Sequence, residues 1–335
     1  NNNVPSAYKM DELDLKDRKI LYDLDLNARQ TDSEIAKKVG LTRDSTRYRI
    51  NRLIENGYIN YFMTLINSMR LGYNWYMTFF KFQNLTIEKE KEIIDYLKER
   101  ASWISKVEGI WDLNTGIFVR NVYEYRDLIN EFLLKYSSFI ERYDVAIVTR
   151  EWTYHRDYLL NKKQKTTKPL LMGFDPQKEY NTQIIDETDY KILKTILKNA
   201  RMKSIDIARE IGTTEMVVRY RVKKLIQNGI IIGFKPFLNV HKLGYTYFKL
   251  HLSLQNLTPE KKKNITTYIH QHPNTVHMTE LVGGANLECE FQVKTNEEFY
   301  NHIQKLRLQF SEIIRNYEFM QYTQEYKFTY LPEMY

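Results

Sequence analysis

Residues 32–57 read DSEIAKKVGLTRDSTRYRINRLIENG. The apolar residues of the first eight positions recur at helical spacing, and Gly40 after them permits the left-handed backbone of a tight turn. Thr42 can cap a second helix by accepting a hydrogen bond from a free backbone N–H, and Gly57 ends that helix. Two short helices joined by a glycine-containing turn predict a helix-turn-helix.

The flanking sequence predicts the remaining parts of a winged helix-turn-helix over residues 11–66. Before the quoted stretch, apolar residues from Leu15 to Leu24 recur at helical spacing. After it, the β-rich segment from Tyr58 to Ile66 predicts a wing strand.

The chain contains this unit twice. Asp17-Arg-Lys-Ile-Leu21 returns as Asp189-Tyr-Lys-Ile-Leu193, and 19 of the 43 positions in residues 17–59 match residues 189–231 without a gap. Chance does not produce this agreement, so a second winged helix-turn-helix is predicted over residues 184–240.

A small domain follows each of these units. Its periodicity predicts the element order βαββαβ, which is typical of a ferredoxin-like fold, over residues 67–160 and 241–331. The lysine-rich stretch 161–183 shows no periodicity, contains Pro169 and Pro176, and predicts a linker. The predicted fold class is therefore α+β, with two winged helix-turn-helix domains that are each followed by a ferredoxin-like domain.

The first strand of the first ferredoxin-like domain has large side chains on both faces, as Trp75 and Tyr76 illustrate. Because the two helices cover only one face of such a sheet, the other face needs a second sheet against it. We therefore expect the sheets to associate, either as a pseudo-dimer within one chain or as a homodimer between chains.

The third helix of each winged unit is the candidate recognition helix, since it has short polar residues near its start and basic residues on its flanks. These residues are predicted to contact DNA: Arg43, Asp44, Ser45, Arg47, Tyr48, Arg49, Asn51 and Arg52 in the first copy, and Arg219, Tyr220, Arg221, Lys223 and Lys224 in the second. The recognition helix of the second copy opens with Glu215-Met-Val-Val218, so it is expected to bind phosphates better than it contacts bases. The alternative is a solvated basic face in a protein–protein module.

Composition agrees with a polyanionic partner and limits the other classes of function. The 335 residues carry a formal net charge of +8, which favours a nucleic-acid partner. Hydrophobic residues make up 43% of the chain, so it can form cores. Cys289 is the single cysteine, which predicts a reducing, cytoplasmic location. No apolar run approaches the ~20 residues that span a bilayer, so no membrane association is expected. The sequence lacks a glycine-rich phosphate loop, zinc-ligand spacing and a nucleophile motif, which predicts a protein without cofactor, metal or enzymatic activity.

These motifs resemble the Lrp/AsnC (feast/famine) transcription regulators. The resemblance rests on Leu15-Lys-Asp-Arg-Lys-Ile-Leu21, Ile35-Ala-Lys-Lys-Val-Gly-Leu-Thr42, Arg49-Ile-Asn-Arg-Leu53 and Leu71-Gly72, with counterparts in the second copy. It covers nearly the whole chain apart from the N-terminal tail and the linker. The resemblance implies a DNA-binding regulator with double-stranded DNA as its partner. Family members usually hold one copy, so the fusion of two copies puts the family's assembly in doubt.

The resemblance also implies a small effector, such as an amino acid, that binds between the ferredoxin-like domains near a Gly-x-x-Asp turn. The matching residues are Gly109, Trp111 and Asp112 in the first copy and Gly283, Gly284 and Asn286 in the second. Asn286 is neutral, so an ammonium group is expected to bind less well there. A plain turn between strands without a ligand is the alternative.

Two other functions stay open from the sequence. Siroheme decarboxylases resemble this family in fold and can occur as tandem fusions, and they would need histidine and arginine in a cleft of the ferredoxin-like domain. His277, on a predicted strand, is the best candidate, but it has no histidine counterpart in the first copy. The other function is an interaction scaffold whose winged helices bind protein.

Overall fold

The computed structural model describes residues 13–175 and 180–333. The first copy contains α1 (Leu15–Leu26), α2 (Asp32–Val39), α3 (Arg43–Glu55), β1 (Ile59–Ile66), β2 (Asn74–Phe82), α4 (Ile87–Lys98), β3 (Trp103–Gly109), β4 (Leu113–Val119), α5 (Val122–Tyr136), β5 (Ile140–Thr153) and β6 (Leu170–Gly173). The second copy contains α6 (Glu187–Ile196), α7 (Ser204–Ile211), α8 (Glu215–Gln227), β7 (Ile231–Leu238), β8 (Thr246–Leu254), α9 (Pro259–Gln271), β9 (Thr275–Val282), β10 (Leu287–Val293), α10 (Asn296–Gln309) and β11 (Ile314–Phe328).

Local signals define the ends of the DNA-binding helices. Thr31 and Glu34 form a capping box at the start of α2, and Gly40 ends that helix in the left-handed conformation with φ 68°. The Thr42 side chain accepts from the backbone N–H of Ser45 at 3.2 Å and starts α3. The predicted turn and caps of the first helix-turn-helix are therefore confirmed.

The two ferredoxin-like sheets join into one structure within the chain. The order of the large sheet is β2-β4-β3-β11-β8-β10-β9-β5-β6, and an additional pairing of β2 with β5 closes its first eight strands into a ring. The two copies meet where β11 pairs with β3 and where β5 pairs with β9, both antiparallel. Both faces of β2 are buried, as its sequence predicted.

The two junctions between the sheets are formed by equivalent positions of the internal repeat. At one junction Glu151 of β5 pairs with Thr279 of β9, and at the other Glu325 of β11 pairs with Ser105 of β3. Each residue of the first pair matches a residue of the second at an offset of 174 in the sequence. The ring is therefore a pseudo-dimer built by duplication.

The core has three parts. The helices α4 and α5 pack on the outside of the first sheet through residues such as Ile93 and Phe132, and α9 and α10 cover the second sheet through Ile265 and Phe299. The inner faces of the ring share a third, larger core with both helix-turn-helix units. This shared core fixes the DNA-binding units to the ring.

The predicted wing strands have a different partner from the one expected of a wing hairpin. β1 does not pair within its own copy but forms an antiparallel two-stranded ribbon with β7 of the other copy, in a register that includes Thr64 opposite Phe234. In this arrangement β7 contacts α1 and β1 contacts α6, the first helices of the opposite copies. Thr64 accordingly donates from its side chain to the carbonyl of Ile196 in α6 at 2.7 Å.

The predicted linker is partly wrong. Within residues 161–183, β6 extends the sheet by pairing antiparallel with β5, so that Arg150 lies opposite Gly173. Asn67 holds this strand, since its side chain donates to the carbonyl of Gly173 at 2.8 Å and accepts from its N–H at 3.0 Å. Pro176 lies outside the described residues, as do residues 11 and 12 of the first predicted domain.

Among the residues that the structure describes, no helix is both long and apolar enough to cross a membrane.

Candidate nucleic-acid interface and interior cavity

The free face of α3 carries the polar residues that the sequence assigned to DNA contact. Arg43, Asp44 and Asn51 are exposed, and the Tyr48 side chain is 67% exposed despite its aromatic ring. Ser45 is half-buried near the N-terminal end of the helix. An exposed tyrosine between polar residues and arginine suits contact with bases and phosphates better than it suits solvent.

Arg49 and Arg52 have partners inside the protein. Arg49 donates to Asp14 and to Asp17 at 2.8 Å each, and Arg52 donates to the other oxygen of Asp17 at 2.7 Å. Asp17 is fully buried, so these ion pairs hold α3 against α1. In the second copy Arg221 pairs in the same way with Asp186 and Asp189. Contact of these three arginines with DNA stays a prediction, and it would require sharing or breaking these pairs.

The remaining residues that were predicted to contact DNA lie on the recognition helices of both copies. Arg47 pairs with Asp32 at 3.0 Å and Arg219 with Glu215 at 2.8 Å, and both arginines remain exposed. On α8 the exposed residues are Lys223, Lys224 and a 62% exposed Tyr220. No ion pair of Lys223 or Lys224 occurs among residues 13–175 and 180–333, so both ammonium groups are available to phosphates.

The two helix-turn-helix units are fixed to one another by reciprocal contacts. The backbone N–H of Ala28 donates to the carbonyl of Phe234 at 2.9 Å, and the N–H of Ala200 donates to that of Phe62 at 2.9 Å. The Arg29 guanidinium donates to the carbonyl of Ala200 at 2.7 Å. The units therefore form one rigid pair.

The matching Arg201 makes more contacts than Arg29. It donates to the carbonyls of Ala28 and Gln30 at 2.7 and 3.0 Å, and it pairs with Asp32 at 2.7 Å. The counterpart of Asp32 in the second copy is Ser204, so Arg29 has no equivalent carboxylate. The contact between the units is thus stronger on one side.

This difference predicts unequal effects of two matched variants. Arg201→Ala is expected to lower the free energy of unfolding by about 2–3 kcal/mol, because it removes a charge-assisted pair and leaves two carbonyls without a donor. Arg29→Ala, the control, removes one carbonyl contact and is expected to cost about 1 kcal/mol. Urea unfolding of both variants measures the difference. Equal losses would show that Asp32 contributes nothing to the pairing of the units.

The residues predicted to bind an effector lie at the two strand connections β3–β4 and β9–β10. The carboxylate of Asp112 accepts from Lys81 at 2.7 Å and from the N–H of Phe82 at 2.8 Å. The Asn286 side chain accepts from the N–H of Leu254 at 2.6 Å.

The other predicted effector residues have equally tight surroundings. Gly109 and Gly283 have positive φ, and an added Cβ at either would lie within 2.8 Å of a backbone oxygen. Gly284 lies beside the Asp144 carboxylate. Trp111 is buried, with the Arg142 guanidinium 4.8 Å from its ring centroid. These contacts give the turns a structural role, and effector binding at these residues stays a prediction.

A cavity of about 260 Å³ lies inside the ring, under the ribbon strand β7. None of the six turn residues lines it. The aromatic residues in its walls are Trp75, Trp103, Tyr154, Phe237, Tyr247, Tyr322, Phe328 and Tyr330. The charged and titratable groups that face it are Glu151, Arg156, Lys235, His241, His277, Glu290 and Glu325.

One end of the cavity is a buried ionic cluster around Asp25. This carboxylate, fully buried, pairs with Arg156 at 2.5 Å and with Lys235 at 3.1 Å. Burial raises the pKa of Asp25, but the two cations lower it more, so it lies well below its usual range. Burial and the neighbouring Lys235 lower the pKa of His155 to about 4, so this imidazole is neutral.

The other end of the cavity holds carboxyl groups. The Glu151 side chain accepts from the Tyr330 hydroxyl at 3.1 Å, and burial together with the nearby Glu290 raises its pKa to about 8. Glu290 accepts from the hydroxyls of Tyr247 and Tyr322 and pairs with Lys249. A carboxyl whose pKa is raised on folding stabilises the fold below its unfolded pKa, and this contribution is lost as the pH rises toward about 8.

Sequence reasoning did not find this cavity, although one of its residues, His277, was singled out. Burial lowers the pKa of His277 to about 4, and its Nδ1 lies 3.7 Å from Glu151. The signal that could have found the site is the glutamate that recurs at equivalent positions in the last ring strand of each copy, Glu151 and Glu325. Among the described residues, no cluster of His, Cys, Asp and Glu could hold a metal ion.

Comparison with known proteins agrees with the geometry of the DNA-binding units. A winged helix-turn-helix DNA-binding family model matches residues 13–60 and again 185–232. The chain is 32% identical over 106 residues to the HTH-type transcriptional regulator Ptr1 of Methanocaldococcus jannaschii, covering 32% of this chain and 70% of that protein. It is 44% identical over 63 residues to the HTH-type transcriptional regulator LrpA of Pyrococcus horikoshii, covering 19% of this chain and 45% of that protein.

A solved structure shares the whole architecture. The siroheme decarboxylase NirDL superposes with a TM-score of 0.62 and 14% identity, over 93% of this chain and 92% of that chain. At this identity the likeness shows the fold alone. The family is shown by the two matched helix-turn-helix units with their recognition helices, and by Ptr1, most of which this chain covers. The protein belongs to the Lrp/AsnC family of transcription regulators, in a form that carries two copies of the DNA-binding unit in one chain.

Proposed function

We propose that one chain binds a two-part site on double-stranded DNA in a sequence-specific manner, with one recognition helix on each part. The observation that carries this proposal is the rigid pairing of the two helix-turn-helix units by the β1–β7 ribbon and by Arg29 and Arg201. In a regulator with one copy per chain, such a pair needs two chains. Here the duplicated chain supplies both units.

The two helices differ in the chemistry of their exposed faces. α3 presents Ser45, Tyr48 and Asn51, which can donate to and accept from base edges. α8 presents Lys223 and Lys224, which are point charges suited to phosphates. We infer that the first copy contributes sequence preference and the second copy contributes mainly affinity, so the preferred site is asymmetric.

We further propose that a small molecule tunes this binding. The support is the cavity inside the ring, because β7 both lines it and belongs to the ribbon that pairs the helix-turn-helix units. A ligand against β7 would act on the element that sets the distance between the recognition helices.

The proposal is tested by selecting the tightest duplexes from random sequence and measuring their affinity across a salt series. We expect an enriched motif whose conserved bases are concentrated on one side, and a linear fall of log affinity with log salt concentration. Absence of binding at low salt, or binding without any enriched motif, would contradict sequence-specific recognition.

An enzyme similar to the siroheme decarboxylase is the second candidate. The observation in its favour is the shared architecture, together with a cavity that holds His277 and Arg156. Uroporphyrin-type substrates carry several carboxylates, and the cations that line this cavity, Arg156 and Lys235, are already paired with Asp25, which disfavours them. Titration with an iron-uroporphyrin separates the two functions, since a decarboxylase-like site would give a shifted visible absorbance band.

A further inference from the structure

We propose that the cavity inside the ring binds a small organic cation, in which an ammonium group lies against Glu151 and an apolar or aromatic body contacts the cavity walls. This binding does not depend on DNA recognition. The site is distinct from the two strand connections at Gly109–Asp112 and Gly283–Asn286.

The two carboxyl groups come from equivalent positions of the repeat and reach the cavity from opposite junctions of the ring. Each is matched with an aromatic ring of the other copy at equivalent positions. Glu151 lies 3.7 Å from Nδ1 of His277, and Glu325 accepts from the indole N–H of Trp103 at 3.4 Å. The two positions differ in burial, since Glu151 is buried and Glu325 is exposed, so Glu151 is the desolvated acid of the cavity.

The cations in and beside the cavity are already neutralised, whereas the carboxyl group of Glu151 is not. Arg156 and Lys235 both pair with Asp25, and Lys249 pairs with Glu288 and Glu290 at 2.5 and 3.2 Å. Glu151 is 95% buried, since only 5% of it is exposed. Its Oε1 takes the hydrogen bond of Tyr330, and its Oε2 has no hydrogen-bond partner among the described residues.

The only ion-pair neighbour of Glu151 within the described part of the chain is His277, whose imidazole is neutral. An unpaired carboxylate in such surroundings is costly, so Glu151 holds a proton at neutral pH, and its pKa is about 8. A bound ammonium group would replace this proton as the countercharge.

The remaining groups around the acids do not compete for this role. His277 is neutral, because burial lowers its pKa to about 4. His241 lines the cavity from the segment after β7, and Glu290 is satisfied by Lys249 and two tyrosine hydroxyls. The aromatic walls add cation–π attraction for an ammonium group, as Lys249 shows by lying 4.8 Å from the Trp103 ring centroid.

Cation binding therefore releases protons. Since Glu151 is protonated in the empty cavity and ionised against the ligand, affinity rises between about pH 6 and about pH 8 while the amine stays charged. An anion shows the reverse dependence, because it binds better when this acid is neutral. The pH dependence distinguishes the two ligand classes without knowledge of the natural ligand.

The test is titration calorimetry of the full chain with tryptamine, with 3-indolepropionate as the matched anion of the same ring. We expect tryptamine to bind with proton release, measured as a heat that depends on the ionisation enthalpy of the buffer, and the anion to bind at least roughly tenfold more weakly. Glu151→Gln is expected to weaken tryptamine binding roughly tenfold or more, and Glu325→Gln is expected to weaken it less, because Glu325 is exposed. Glu318→Gln, on the same strand as Glu325 but outside the cavity, is the control.

The amide variants keep a hydrogen-bond acceptor for Tyr330 and Trp103, and thermal unfolding confirms that each variant is folded. The proposal is overturned if tryptamine does not bind the folded wild-type chain, if it binds without proton release, or if Glu151→Gln does not weaken it. Stronger binding of 3-indolepropionate would also overturn it.

Discussion

Replacing Asp25 by leucine is expected to lower the free energy of unfolding by about 3–5 kcal/mol, because the change leaves Lys235 and Arg156 buried without their carboxylate. Asp25 lies in α1, Lys235 in β7 and Arg156 after β5, so the cluster joins the first helix-turn-helix to the ribbon and the ring. The pKa of Asp25 is lowered in the folded protein. The stabilisation by its ion pairs is therefore present at neutral pH and is lost only as the pH falls into the strongly acidic range.

The second copy supplies the matched control for this variant. At the positions equivalent to Asp25 and Lys235, an offset of 172, the chain carries Leu197 and Met63. The double variant Asp25→Leu, Lys235→Met copies that apolar pair and removes one of the two stranded cations. Denaturant unfolding should therefore show that the double variant is more stable than Asp25→Leu alone. If the two changes were additive, the ion pair would contribute no coupling energy.

Replacing Lys223 and Lys224 by alanine is expected to weaken DNA binding strongly and almost equally for all sequences. Each phosphate contact contributes roughly 0.9 to the slope of log affinity against log salt concentration, so the loss of two contacts should reduce the slope by about 1.8. Both side chains are exposed on α8, so folding stability should not change. Fluorescence anisotropy across a salt series measures both quantities.

The matched pair of changes in the first copy is Ser45→Ala with Asn51→Ala. Here we expect a change of sequence preference with little change of the salt slope, because neither side chain is charged and both lie on α3. If the lysine variant changed sequence preference more than the α3 variant did, the division of roles between the copies would be wrong.

The sequence predicted the helix-turn-helix units and the βαββαβ order because these depend on local signals. Thr42 and Gly40 decide their helix ends through contacts within a few residues. The partner of β1 could not be predicted in this way, since pairing with β7 joins residues about half a chain apart and depends on how the two copies pack. Strand β6 was missed for the same reason, because Lys- and Pro-containing sequence hides an edge strand that is held by Asn67.

For the candidate DNA-contact residues, the sequence predicted which side chains are exposed but not which of them have partners inside the protein. Helical periodicity correctly placed Tyr48, Lys223 and Lys224 on exposed faces, but it could not show that Arg49 and Arg52 are occupied by Asp17 from another helix. The cavity is lined by residues of both copies, which are far apart in the sequence. These residues come together only when the ring forms.

The central claim is that one chain presents two recognition helices at a fixed separation to double-stranded DNA. It is tested most directly by comparing the affinity of the selected duplex with that of the same duplex carrying about five extra base pairs, half a helical turn, between its two parts. We expect the insertion to rotate one part away from its helix and to reduce affinity nearly to that of non-specific DNA. Equal affinity for the two duplexes would contradict a rigid pair of DNA-binding units.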